Sequence, residues 1–530
     1  MSLAFLGASA LVLALVVLVG PRALRALIRR RLLGYRVRVV EADPHRPFAY
    51  DPSRPPSTVA IIGGGLAGIA AASTLAERGV SVTLFESKPY LGGKIGAWPH
   101  PLASGEVVRV SHGFHAFFRH YYNLWAWLDH LGLRAGFRPI EDYAILAHDQ
   151  SMLSFRGLES TPVLNLLGLA RRGVYRFSDV LFGPARDLMG VFLEYDAETT
   201  FARFDRYSLA DFDQKAKLPP GLRLAFRTFS RAFFAEEDRV SLAELIKSFH
   251  FYYLSHDHGL LYDYPDRDYE AALLAPIRSH LEAHRVRLRL STPVHELAGQ
   301  ASGYVVNGEP FDRVILAADV VGARAIMAGA RNIPVQLDML SPGQRYAVLR
   351  LYVDRDLRRN IPGFVVTDRV RLLDAVTAFH RIEQESAEWV KKHGGAVLEL
   401  HSYAVPDDLA DEAVRGALLD ELLLFFPELT GLEIRGESFQ LRRDFTAFHT
   451  QQWAKRPVTQ SGAPGLFLAG DWVKLPFPAM LLEAAFSSGV LAANAVLEEL
   501  GLSPAPLDAV PSRGLMAGMP EPPARRAAFR

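Results

Sequence analysis

The stretch Thr58-Val59-Ala60-Ile61-Ile62-Gly63-Gly64-Gly65-Leu66-Ala67-Gly68, followed by Val82-Thr83-Leu84-Phe85-Glu86, constrains this chain more than any other. It reads as an apolar strand, a glycine turn, a helix, a second strand and an acid. Gly63 makes the tight turn, Gly65 lets the backbone approach a diphosphate, and Gly68 lets helix and strand pack closely. With Gly64 between them, the helix opening at Leu66 and Ala67 aims unpaired N–H groups and a positive dipole end at phosphate oxygens. Glu86 closes the second strand at about the 20-residue spacing where an acid accepts hydrogen bonds from a ribose. A lone Gly-x-Gly-x-x-Gly also occurs in ordinary strand-to-helix turns. The strand before it, Gly79 after the helix and Glu86 together make this a dinucleotide site.

Two further segments specify the dinucleotide. Directly after Glu86 comes Ser87-Lys88-Pro89-Tyr90-Leu91-Gly92-Gly93-Lys94-Ile95-Gly96, a second glycine turn carrying a cation. It suits a long cofactor whose diphosphate and ribityl chain continue past the first turn. Near the C-terminus, Gly465-Leu466-Phe467-Leu468-Ala469-Gly470-Asp471 reads as a buried strand ending in Gly-Asp, and a helix rich in small residues opens at Leu481. Its small side chains admit either a flat ring or another backbone. Together the three segments resemble the FAD site of the amine-oxidase and phytoene-desaturase superfamily. That resemblance implies that the first turn holds the ADP moiety with Glu86 at its ribose, that Gly470 and Asp471 bind the ribityl-diphosphate, and that Gly93, Lys94 and Leu481 are further cofactor contacts.

At 530 residues, 49% hydrophobic and 22% charged, the chain is long enough for two domains. A net charge of +1 gives no basis for a nucleic-acid partner. The absence of cysteine excludes disulfides, thiolate iron–sulfur ligation, a thiol nucleophile and a flavin attached through cysteine. Residues 3–19 are an apolar or small run in which Ser9 is the one polar side chain. As a helix it would span roughly 26 Å, slightly short of a hydrocarbon core. No basic residue precedes it, whereas Arg22, Arg25, Arg29, Arg30, Arg31, Arg36 and Arg38 follow. That order favours an uncleaved membrane or interfacial anchor over a signal peptide, with the catalytic body cytoplasmic and held against anionic membrane lipid.

The expected fold is α/β: a Rossmann-like FAD-binding domain of the GR2 flavoprotein type, an inserted α+β substrate domain and an N-terminal membrane helix. Residues 1–20 are the anchor and 21–56 a basic juxtamembrane segment and linker. The FAD-binding domain takes 57–125, 285–330 and 441–500, and the substrate domain 126–284 and 331–440. In the middle piece, Val294 would contact the adenine, by the same resemblance. Alternation at 345–354 and 396–403 predicts antiparallel strands. Residues 501–530, rich in Pro, Ala and Arg, are expected to be a disordered tail.

The segment Ser111-His112-Gly113-Phe114-His115-Ala116-Phe117-Phe118-Arg119-His120-Tyr121-Tyr122-Asn123 runs beside the isoalloxazine in this superfamily, which makes Gly113 and Phe114 cofactor contacts. Aromatic clusters follow at Phe226, Phe229, Phe233 and Phe234, and at Phe249, Phe251, Tyr252 and Tyr253. Each can be core or channel wall; three in one anchored flavoprotein point to a long apolar substrate. Residues 112–123, 229–235, 258–265 and 396–403 narrow the match. They resemble the isorenieratene synthase family, flavin-dependent carotenoid desaturase/methyltransferases related to phytoene desaturase, over about residues 57–500.

The resemblance implies conversion of a β-ionone end ring to an aromatic ring while one geminal methyl migrates. Hydride leaves an allylic carbon, the methyl shifts, and a proton is lost. Aromatic faces at Phe114, Phe117, Tyr121 and Tyr122 can stabilise the cation. His115 or His112 could take the proton, or both could simply hydrogen-bond within the flavin pocket. Glu483 could be a second base or a helix-start charge. Arg119 and Arg231 could hold phosphate or form salt bridges. No metal site is expected, since neither His112 with His115 nor His256 with His258 has a third ligand in a recognised pattern. A membrane quinone or dioxygen would take the electrons. The alternatives are a phytoene-type or other isoprenoid desaturase, and a flavin-containing membrane protein that binds or isomerises a polyene without net oxidation.

Overall fold

A computed structural model describes residues 26, 35–162, 164–176, 178, 186–231 and 233–529. The anchor expected at residues 1–20 lies outside the described residues.

Thr58–Ile62 is the central strand of a five-stranded, all-parallel sheet. Ser81–Phe85 and then Arg287–Arg289 lie on one side of it, Arg313–Leu316 and then Leu466–Leu468 on the other. Strand order therefore reverses at Ile62, and in open parallel sheets ligands bind outside the carboxyl ends of the strands at that switch point. The helix Leu66–Ala76 is buried at all 11 positions. An alanine-rich sequence suits it, because it is pressed between the sheet and the long helix Leu481–Glu499. At the closest approach a Cβ on Gly489 would lie 2.0 Å from the Ala67 carbonyl oxygen. The glycine there answers to helix packing, while Leu481, Leu482 and Ala485 of the same helix line a large cavity. Among the described residues this long helix is the one that matches a membrane span in length and composition, yet most of it is buried as the core of the nucleotide module.

A second, seven-stranded sheet runs in the order Ile434–Arg442, Arg345–Val353, Ala396–Val405, Ala375–Ala378, Phe364–Thr367, Ala144–Leu146, Met152–Ser154. All neighbours are antiparallel except Phe364–Thr367 against Ala144–Leu146. The two-residue period of a strand divides its faces. Leu146 and Val365 enter the core beneath helix Asp411–Phe425, while Ile145, Phe364 and Val366 face a large cavity. Burying each such Val, Leu or Ile contributes about 1.5–3 kcal/mol.

The C-terminal tail and the juxtamembrane linker both depart from expectation. Residues 501–529 join the fold: Leu507–Ala509 is a strand and Pro523–Ala528 a helix. Leu507 and Val510 are 1% exposed, and Arg525 is buried against Glu194. Apolar anchors spaced among prolines dock the segment without helical or strand periodicity, so no sequence pattern marks it. The strand Val37–Val40 pairs antiparallel with Leu507–Ala509, which takes part of the linker into the fold.

Candidate functional site

The carboxyl ends of the parallel strands open into a cavity of ≈ 670 Å³ that continues to the seven-stranded sheet. Its first end is built by the glycine turn. Gly63 has φ +113°, and a Cβ there would lie 2.6 Å from the Ala317 carbonyl oxygen. A Cβ on Gly68 would lie 1.9 Å from the Gly63 oxygen, so both positions are closed to side chains by the protein itself. Gly65 differs. A Cβ there meets nothing nearer than Gly93 Cα at 3.9 Å, and Gly65 lines the cavity. It is also the helix N-cap and provides no side-chain cap, so the first N–H groups of Leu66–Ala76 are left for a ligand. This cradle fits a diphosphate.

Glu86 lines the same end and is 8% exposed. It accepts from the backbone N–H groups of Gly64 at 2.7 Å and Lys88 at 2.8 Å, which fixes the carboxylate while lone pairs remain for a ribose. Val294 lines the cavity close by, as do Gly93, Gly470, Asp471 and Leu481. Leu481 has φ +48°, a left-handed conformation uncommon for leucine, at the start of the long helix. Lys94 is not a free cation here. Its ammonium lies 2.9 Å from Asp471 and 4.3 Å above the Phe445 ring. Burial works against its charge, but Asp471, Asp444 and Asp319 outweigh it and raise the pKa.

In the middle of the cavity the two candidate histidines are held differently. His112 Nε2 lies 2.6 Å from Tyr346 Oη and 3.3 Å from Asp444 Oδ2, and the Tyr346 hydroxyl donates to Asp444 Oδ1 at 2.7 Å. Burial lowers the pKa of His112 against the pull of Asp444. Burial also opposes the charge on Asp444, yet the hydrogen bond from His112 and the Lys94 charge hold it below the carboxylate range. His112 is thus tied into a neutral imidazole–phenol–carboxylate triangle. His115 places Nδ1 2.8 Å from the Gly113 carbonyl oxygen, which can only accept. The proton therefore sits on Nδ1 and the Nε2 lone pair is left over. Burial, reinforced by His112, lowers its pKa to about 4.

The loop that carries Gly113, Phe114 and His115 rests on a buried ion pair. Glu399 Oε1 accepts from Phe114 N at 2.9 Å, and its Oε2 lies 2.7 Å from Arg350, the side chains of both Glu399 and Arg350 being at most 2% exposed. Burial disfavours the carboxylate, but Arg350 and His401 bring its pKa down to about 2. The Phe114 ring stacks on Phe364 at 4.9 Å.

Beyond this point the wall is aromatic. Phe229, Phe233, Phe234, Tyr252 and Tyr253 line the cavity, whereas Phe226, Phe249 and Phe251 lie behind it in the core. A wide π-type turn over His250–Leu254 brings the consecutive residues Tyr252 and Tyr253 to the same wall. The Tyr121 hydroxyl is 3.0 Å from that of Tyr252, and burial raises its pKa.

Glu483 is not part of the cavity wall, despite its place in the first turn of the long helix. Its oxygens accept from Asn123 N at 2.9 Å, Asn123 Nδ2 at 2.8 Å and Leu124 N at 3.1 Å. Arg119 lies 3.2 Å from Asp263, and Arg231 3.5 Å from Asp374, so both serve ion pairs. Among the described residues no group of His, Asp or Glu is placed to hold a metal ion. Sequence reasoning missed Tyr346, Asp444, Arg350 and Glu399. Each lies more than 200 residues from its partner in the 111–115 segment, and no local pattern marks it.

Residues 66–497 match the family model of flavin-containing amine oxidoreductases. The chain is 35% identical to a carotenoid phi-ring synthase of Streptomyces griseus, covering 87% of this chain and 91% of that one. It is 26% identical to a carotenoid phi-ring synthase of Chlorobaculum tepidum, covering 87% and 92%. Among solved structures, cyclohexylamine oxidase from Brevibacterium oxydans superposes with a TM-score of 0.59 at 16% identity, over 84% of this chain and all of that one.

Proposed function

Because the chain belongs to the flavin-containing amine oxidoreductase family and is an FAD-dependent oxidoreductase, we propose that it modifies a carotenoid end ring, oxidising a β-ionone ring with methyl migration to an aromatic ring. The observation that carries this reading is the single cavity joining the diphosphate cradle at Gly65 to an aromatic wall at Phe229 and Tyr253. The likeness to two carotenoid phi-ring synthases over most of their length supports the ring as the reacting part.

When bound, FAD would accept one hydride at a time, so each ring takes two rounds, losing two hydrides and two protons in all, with reoxidation between them. The chain's own residues position the ring and manage charge and proton. Phe114 stacked on Phe364, with Tyr262 edge-on at 6.1 Å, offers ring faces to a delocalised cation. His115 then takes the proton at Nε2. A pKa of about 4 makes it a weak base, but a C–H next to a carbocation is a far stronger acid, so an unprotonated imidazole suffices. The Gly113 carbonyl holds the imidazole in the required tautomer. His112 positions the segment through Tyr346 and Asp444. The apolar wall excludes water that would otherwise trap the cation. The N-terminal apolar run would place the body at the membrane where the polyene dissolves, and a membrane quinone or dioxygen would reoxidise the cofactor.

The test is anaerobic mixing of the purified holoprotein with β-carotene. Bleaching of the flavin band near 450 nm, with an aromatic-ring product once admitted quinone or air reoxidises the flavin for the second hydride, upholds the reading; a band that never bleaches ends it.

A further inference from the structure

Most rings facing the substrate end of the cavity, Phe118, Phe155, Phe229, Phe233 and Phe364 among them, carry no polar atom. Tyr253 and Tyr403 line the same cavity, and among the described residues neither hydroxyl makes a hydrogen bond. The other phenols nearby are paired: Tyr121 with Tyr252 at 3.0 Å, and Tyr143 with the Leu260 carbonyl at 3.2 Å. A third hydroxyl, on Tyr262, is enclosed without a partner in a residue 4% exposed. The two open hydroxyls stand at different depths. Tyr403 packs on Phe234 at 5.4 Å, which stacks on Phe445 beneath Lys94, toward the cofactor side. Tyr253 stacks on Phe249 at 4.7 Å and meets Phe229 edge-on, away from the cofactor.

Phenylalanine would fill both positions with the same ring and no hydroxyl. A hydrocarbon filling the cavity expels water and strips both hydroxyls of any partner, which is unfavourable for a buried polar group. Both are neutral phenols, since burial raises their pKa, and so both are donors. Resting on the reading of this cavity as the polyene site, we propose that the physiological substrate is an oxygenated polyene, bearing a hydroxyl or carbonyl oxygen that accepts a hydrogen bond from Tyr403, Tyr253 or both. The two tyrosines are then specificity determinants, choosing an oxygen-bearing ring over the plain hydrocarbon.

The experiment compares kcat/KM for a β-ring carotene and for its ring-hydroxylated counterpart, using full-length, FAD-loaded protein in liposomes. The wild type should favour the hydroxylated substrate by about 10-fold or more, because a site that hydrogen-bonds a substrate hydroxyl discriminates against the analogue lacking it. Tyr403→Phe or Tyr253→Phe should cut that ratio by about 10-fold. A ratio also cancels any loss of folded or flavin-loaded protein common to both substrates. A wild-type ratio near one, or one that survives both substitutions, overturns the inference. So does a pair of variants that alter only reoxidation of the reduced flavin by an added isoprenoid quinone. If neither carotene bleaches the flavin, the parent reading has failed; if the hydrocarbon turns over without discrimination, only the oxygen-recognition inference has.

Discussion

Asn123 and Glu483 are joined twice: the Glu483 Oε1 atom accepts from both the backbone and the side-chain amide of Asn123, at 2.9 and 2.8 Å. Asn123 also donates to the Asp508 carbonyl at 2.8 Å and accepts from the Asp508 N–H at 2.9 Å. One asparagine therefore ties the first turn of the long helix, whose Leu481 lines the cavity, to the C-terminal strand. Glu483 belongs to the scaffold.

Glu483→Gln should destabilise the protein by about 1–3 kcal/mol, because an amide cannot present acceptors to Asn123 and Leu124 at both of its ends. The pH dependence has a definite sign. Burial raises the Glu483 pKa to about 7 against the pull of those donors, so the folded state keeps a proton that the unfolded chain sheds near 4.5. Its stabilising contribution is full below pH 4.5 and is lost as pH rises to about 7. Denaturant melts of wild type and variant across that range should differ in slope. Parallel curves would remove Glu483 as the titrating group.

Two glycines of the turn should separate folding from cofactor binding. Gly68→Ala places a methyl 1.9 Å from the Gly63 oxygen and should prevent a stable fold. Gly65→Ala meets no protein atom closer than 3.9 Å and should fold, with a thermal midpoint close to that of the wild-type apoprotein. Its methyl would occupy diphosphate space, so FAD affinity should fall by 10-fold or more, about 1.4 kcal/mol. Titration of both apoproteins with FAD, followed by flavin fluorescence, checks this. A Gly65→Ala protein that binds FAD normally would place the diphosphate elsewhere.

His115→Gln should leave hydride transfer to the flavin largely intact while aromatic product falls by about 10²–10⁴-fold, since proton loss follows oxidation. Burial lowers the His115 pKa to about 4, so the imidazole is unprotonated at neutral pH and its base function is lost only as pH falls through about 4. The associated stability runs the same way, present above the ordinary 6.5 and lost as pH drops toward 4. Single-turnover mixing, with flavin absorbance and the deprotonated first product read separately, distinguishes the steps. Equal loss of both signals would make His115 a positioning residue.

The nucleotide module was legible because its constraints are local. Gly63, Gly68 and Glu86 act within one βαβ unit, and the alternation at 345–354 and 396–403 survives as the paired strands Arg345–Val353 and Ala396–Val405. The His112–Tyr346–Asp444 triangle and the Glu399–Arg350 support were not legible, because their contacts to the 111–115 segment span more than 200 residues and leave no periodicity. Glu483 misled for a related reason. Its position on the helix was readable, but the side on which Asn123 waits was not. The small residues of the same helix read equally well as ring contacts or packing; Gly489 packs against Ala67, whereas Ala485 lines the cavity.

Residues 35–40 give a sharper truncation than removal of the apolar run alone. Arg36 and Arg38 both reach Asp508, at 2.5 and 2.6 Å, and Val37–Val40 pairs with Leu507–Ala509. Asp508 is the residue whose backbone closes on Asn123. Deleting residues 1–34 leaves all of these contacts and should give a folded, yellow protein. Deleting 1–40 removes the strand and both arginines, so the loss should spread through Asp508 and Asn123 to the long helix. Several partly exposed ion pairs contribute little each, at about 0–1 kcal/mol. The strand pairing and the uncovered backbone of Leu507–Ala509 should dominate. The shorter deletion should therefore melt like the full chain but fail on carotenoid embedded in liposomes while still acting on detergent-dispersed substrate. The longer one should melt earlier and bind less FAD. If both deletions melt alike, the strand is only a tether; if the shorter one works normally on liposomes, the apolar run plays no part in delivery.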